Sequence, residues 1–137
     1  MIQRSRFTSK FNDNFVIFLV GMRINSLLPL NKWWPYYQAI PDIINELRAQ
    51  PELGCLHAEL WRSRTSIMIQ YWRSISDLHA YLNNTCGASL PAWKKFNEAA
   101  NTDGVVGIWQ EAYRISPGHY DTIYVNMPPF DLKNINK

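Results

Sequence analysis

Apolar positions change period along this chain, and the changes mark its elements. Residues 15 to 22, FVIFLVGM, are continuously apolar. So short a run, rich in branched and aromatic residues, predicts a buried central strand extending into Arg23-Ile24. From about Tyr36 to Ala49 the period becomes helical: Tyr37, Ile40, Ile43, Ile44 and Leu47 fall on one face. Pro35 suits the first turn and Pro41 either the first turn or a slight kink, while Pro51 ends the helix. Alternation then predicts strands over 54–61 and 64–72, joined at Arg62-Ser63. A short helix is expected over 76–84, capped by Ser76, with Leu78, Tyr81 and Leu82 inward. A second is expected over 90–100, with Trp93, Phe96 and Asn97 along one side, and a last core strand over 105–115.

The order β-α-β-β-α-β, with its second helical region broken in two, predicts an α+β, ferredoxin-like antiparallel sheet covered by helices on one face. Residues 1–13 read as an arm, 14–115 as the core of a single domain, and 116–137 as a tail with a strand-like piece at 122–126.

The uncovered face carries the functional question. On the second strand Leu56, Ala58 and Leu60 alternate with Cys55, His57, Glu59 and Trp61; on the third, Ile67, Ile69 and Tyr71 alternate with Ser66, Met68, Gln70 and Trp72. Assigning the purely apolar sets to the helices leaves the mixed sets together on the other face. Trp109, Glu111 and Tyr113 join them from the last strand, and Gln110 turns toward the helices. Unpartnered buried polar groups cost about 1–3 kcal/mol each, which disfavours a plain core. Aromatic walls with a few polar groups predict a pocket, with polar packing at a subunit seam as the alternative.

Composition narrows the chemistry. The chain has 137 residues, 47% hydrophobic and 14% aromatic, with six Trp and seven Tyr. That suits a globular domain with a pocket for a flat ligand. Net charge is +3, and Lys94-Lys95 is the one basic pair, which argues against nucleic acid as a partner. Cys55 and Cys86 make no disulfide framework. No run is long enough to span a bilayer and no leader is evident, so a cytoplasmic protein without a membrane partner is expected. There is no GxGxxG, P-loop or GxSxG, and His57, His79 and His119 lack metal-site spacing, so no metal is expected.

The segments FLVGMRIN, LPAWKKFN, VGIWQEAY and YVNMP carry a resemblance covering about residues 12 to 130. The chain resembles a group of small bacterial and fungal proteins labelled monooxygenase family, within the dimeric α/β-barrel superfamily. The resemblance implies a homodimer whose two sheets face each other as a barrel. It also points to natural-product biosynthesis, because relatives include cofactor-independent quinone-forming monooxygenases, isomerases and cyclases, alongside haem-binding proteins. In that pattern a His often stands where this chain has Gln110, and another where it has Ser89. Gln cannot act as an acid or base near neutral pH, but it can orient a carbonyl.

The candidate site follows. His57 is the expected catalytic base, since histidine exchanges protons near neutral pH, with Glu59 and Glu111 as its orienting carboxylates; the alternative is a hydrogen-bonded interior histidine. Arg23, Asn25, Trp61, Gln70, Trp72, Trp109 and Gln110 hold a small apolar or aromatic substrate, and no cofactor is required. The alternatives are a non-catalytic ligand-binding barrel and a haem protein with His79 as axial ligand.

Overall fold

A computed structural model describes residues 3–7, 13–83 and 90–128. Four strands form an antiparallel sheet: β2 (Phe15–Ile24), β3 (Cys55–Trp61), β4 (Thr65–Trp72) and β5 (Val106–Ile115), in the order β3-β4-β2-β5. Three helices cover one face: α1 (Trp34–Ala49), α2 (Ile75–Leu82) and α3 (Pro91–Glu98). This is the expected ferredoxin-like arrangement. A strand from the arm, β1 (Gln3–Phe7), pairs with β6 (Tyr124–Met127) of the tail, so arm and tail form a separate ribbon.

Elements begin where local chemistry lets them. α1 starts at Trp34, two residues earlier than the apolar period suggested, so Pro41 lies inside the helix and not in its first turn. Its inner face is Ile40, Ile43, Ile44 and Leu47. α2 is capped by Ser74, not Ser76: Ser74 Oγ accepts from the Asp77 amide at 3.1 Å. α3 lacks a capping side chain of its own. Glu46 on α1 supplies one, accepting from the Ala92 and Trp93 amides at 2.8 and 3.4 Å. Its carboxylate thus meets the positive end of α3. Ser89 and Cys86 lie outside the described residues.

The core lies between sheet and helices. Val16, Phe18, Val20, Met22 and Ile24 point from β2 into this layer. A run of rings crosses it: Trp72 to Tyr81 at 5.0 Å, Tyr81 to Trp93 at 4.9 Å, and Trp93 stacked on Phe96 at 5.6 Å.

The structure corrects the assignment of faces on β4. Val16 pairs with Trp72, Phe18 with Gln70, Val20 with Met68 and Met22 with Ser66, so these four residues face the helices. Ile67, Ile69 and Tyr71 take the open face. The reason is that both faces of β4 need apolar surface. Gln70 is tolerated in the core because its amide is satisfied there: Trp72 Nε1 donates to Gln70 Oε1 at 2.7 Å, and Gln70 Nε2 donates to Met68 Sδ at 3.0 Å. On β3 the expected faces hold from His57 onward. A bulge between Cys55 and His57 shifts Cys55 to the helix side, opposite Trp72, and leaves Leu56 exposed.

Candidate functional site

Register lays the open face out in rows. His57, Tyr71, Ile17 and Tyr113 lie side by side across β3, β4, β2 and β5. Glu59, Ile69, Leu19 and Glu111 form the next row, and Trp61, Ile67, Gly21 and Trp109 the third. The face is therefore an apolar centre between two polar, aromatic rims. Phe15, Tyr71, Ile17, Ile69 and Ile115 cluster at one end, where tail residue Tyr120 packs edge-on to Phe15 at 5.4 Å.

The β3 rim holds the best-formed polar pair. His57 Nε2 and Glu59 Oε1 are 2.6 Å apart, with side chains 17% and 28% exposed. The carboxyl beside Nε2 fixes the orientation of the imidazole ring. The Tyr71 ring lies 6.2 Å from the imidazole and, like Tyr120, is a site neighbour that alternation alone did not reveal.

The β5 rim is separate. Glu111 lies three strands from Glu59, about 14 Å at ordinary strand spacing, so one protomer does not unite Glu111 with His57. Glu111 instead sits beside Tyr113, and its carboxylate, by charge repulsion first, raises the phenol above its usual range. Trp109 is half-buried. Its indole lies flat over Gly21, where a Cβ would overlap the six-membered ring, so glycine permits this close approach.

The other candidates divide. Trp61 stands exposed at the open-face rim. Gln70 and Trp72 are fully buried under the helices, which removes them from any site shared with His57. Arg23 donates to Thr65 Oγ1 at 3.1 Å. Asn25 donates to the Gly104 carbonyl at 3.1 Å and ties β2 to the turn before β5. Gln110 is on the helix side, as expected. With Asn97, Phe96, Val20 and Ile108 it lines a cavity of about 220 Å³. Asn97, expected only on the inner side of this helix, is a cavity residue as well; its Nδ2 donates to the Trp93 carbonyl at 2.9 Å, leaving its oxygen free to accept. His79 is exposed in the last turn of α2. Burial pushes the Cys55 thiol up to about 12, so it is no nucleophile near neutral pH.

Among the described residues no group of three His, Cys, Asp or Glu side chains gathers as a metal site, and no helix is long and apolar enough to cross a membrane.

Comparison with known proteins names the family. Residues 15–132 match the profile of the monooxygenase af470-like family. The chain belongs to that family. Monooxygenase af470 of Aspergillus fumigatus is 25% identical over 128 residues, covering 85% of this chain and 44% of that protein. The chain thus spans less than half the length of that relative. Among solved structures, a conserved Bacteroides thetaiotaomicron protein of unknown function superposes with a TM-score of 0.51 at 13% identity, over 77% of this chain and 100% of its own. A Caulobacter crescentus protein provisionally assigned as an antibiotic biosynthesis monooxygenase gives 0.47 at 14% identity, over 75% and 91%. The first of these likenesses supports the ferredoxin-like fold of this af470-like chain. It says nothing of chemistry.

Proposed function

We propose that this chain is a monooxygenase-like enzyme acting on a flat, apolar molecule with an acidic C–H or phenolic proton. The observation that carries this reading is the half-buried His57–Glu59 contact beside an apolar sheet face. The oriented imidazole removes the proton, and the electron-rich carbanion passes electrons directly to dioxygen. For an acidified CH₂ the balance is complete: one oxygen atom becomes the new carbonyl, the other leaves with both hydrogens as water, and the substrate supplies the electrons. No organic cofactor is then required. Without oxygen, the same base would serve an isomerisation or cyclisation. Tyr71, Trp61 and the apolar centre provide the walls.

The open face also supports a homodimer. Ile17, Leu19, Ile67 and Ile69 are only half-buried there, and a second copy laid face to face would cover them and exclude water from the rim. Ile69→Lys should convert a dimer to a monomer in size-exclusion chromatography with light scattering. An unchanged mass would remove this part of the reading.

An anthrone tests the chemistry, because its CH₂ is acidified and its quinone product absorbs visibly. His57→Ala should lower turnover by about 10²–10⁴-fold and Glu59→Gln by less. Near-normal turnover in both, with folding intact, would sink the assignment. A second reading, non-catalytic ligand binding, draws support from the helix-side cavity with its Gln110 and Asn97 amides. It expects Gln110→Ala, not His57→Ala, to abolish binding. Haem ligation is disfavoured by the exposure of His79, since a haem ligand works within enclosing walls.

A further inference from the structure

One end of the molecule presents apolar side chains to water. After β2 the chain runs through SLLPLNKWW, and Leu27, Leu28, Leu30 and Trp34 are 52%, 81%, 52% and 43% exposed. Lone exposed leucines are ordinary on a protein surface; four large apolar side chains within eight residues make a patch.

Backbone and side-chain bonds hold this patch outward. Trp33 is buried, and its Nε1 donates to the Leu27 carbonyl at 2.9 Å. The Lys32 and Trp33 amides donate to Pro29 and Leu30 carbonyls at 3.2 Å each. The Asn25 amide donates to the Val105 carbonyl at 2.8 Å. The leucines are therefore displayed by a braced turn whose indole anchor faces inward.

Positive charge surrounds them. Arg64 is clamped across the end of β2, its Nε and Nη2 donating to the Ile24 and Asn25 carbonyls at 2.8 and 3.0 Å. Arg62 lies 4.1 Å from the centre of the Tyr37 ring, which itself neighbours Trp34 at 6.2 Å. Lys32 sits within the turn, and Arg23 is the penultimate residue of β2. Asp103, 4.0 Å from Lys32, opposes them.

We infer that this end of the molecule docks on an anionic phospholipid surface. Leucines and an indole suit the boundary between headgroups and acyl chains, and a basic collar suits negatively charged lipid. Charge complementarity selects this occupant, because a second copy of the same patch would bring its arginines and lysine against like charges. The sequence argument against a membrane partner concerned spanning segments, whereas this contact lies on the surface and needs none. It does not depend on the chemistry assigned to His57.

Co-sedimentation of the full chain with vesicles tests the inference. One set is phosphatidylcholine alone; the other contains about 30% phosphatidylserine, where the surface potential rewards basic residues. The chain should pellet with the second set more than with the first, and less as salt rises. Leu28→Asp should weaken partitioning by about tenfold or more, as expected for replacing a buried leucine with a charge. Lys32→Glu should weaken it by about fivefold or more. Both positions are exposed, so circular dichroism should show unchanged folding. No pelleting with either vesicle, or equal pelleting with both, overturns the inference. So does a Leu28→Asp variant that changes oligomeric mass without lipid, since the patch would then be a contact between copies.

Discussion

The two faces of the sheet solve opposite problems with similar residues. Under the helices, Gln70 and Trp72 are polar or partly polar yet wholly buried, and they satisfy one another. On the open face, His57 and Glu59 are also paired, but the pair keeps a route to solvent and its neighbours are only half covered. A closed polar contact fixes a core. An accessible one can meet a bound molecule. Residue type does not separate the two; enclosure does.

Trp72→Ala would test this contrast most severely. It empties a fully buried indole site and should cost about 3–5 kcal/mol in denaturant unfolding. Trp61→Ala, on the 42% exposed open-face rim, should change stability by under about 1 kcal/mol. Similar losses in both would abolish the distinction between the faces. Gln70→Leu keeps the volume but leaves the Trp72 N–H without its acceptor, and should cost about 1–3 kcal/mol by the same measurement. A smaller loss would mean the buried amide is dispensable packing.

Gly21→Ala sharpens the comparison from the open side. The added methyl must displace the Trp109 indole, at about 1–3 kcal/mol, with a change in tryptophan fluorescence. An unchanged spectrum would show that the indole does not rest there. The smallest effect belongs to Asp77, whose carboxyl the Arg73 guanidinium holds below its ordinary range. A carboxyl lowered in the folded state stabilises above its unfolded value and loses that contribution as pH falls through the folded one. Asp77→Asn should therefore lower the melting temperature by about 2 °C or less at neutral pH, and the gap to wild type should close in acid. A gap that persists unchanged in acid would refute the charge origin.

Periodicity exposed most of this architecture. Helical spacing from Ile40 to Leu47 and alternation along β3 gave the layers, because one-sided burial writes a period into sequence. β4 did not yield to the same reasoning. Its apolar residues belong to the open face and its mixed residues to the core, so an apolar set does not by itself mark the face beneath the helices. The Cys55–His57 bulge was invisible because an inserted residue leaves no compositional trace. The His57–Glu59 pair was legible, being two residues apart on one strand face. The gap between His57 and Glu111 was not, since it depends on strand order and not on alternation.

The ribbon of Gln3–Phe7 with Tyr124–Met127 has a kinetic consequence. Its pairing joins segments from near the two ends of the sequence, and such a closure offers few contacts against a large loss of chain freedom. The ribbon should therefore assemble last, after the four-stranded sheet has drawn its halves close, and should open first. Amide hydrogens of β6 should exchange well before those of β4, which report opening of the whole domain. The β1–β6 pairing would then act as a latch, closing only once the four-stranded sheet has formed.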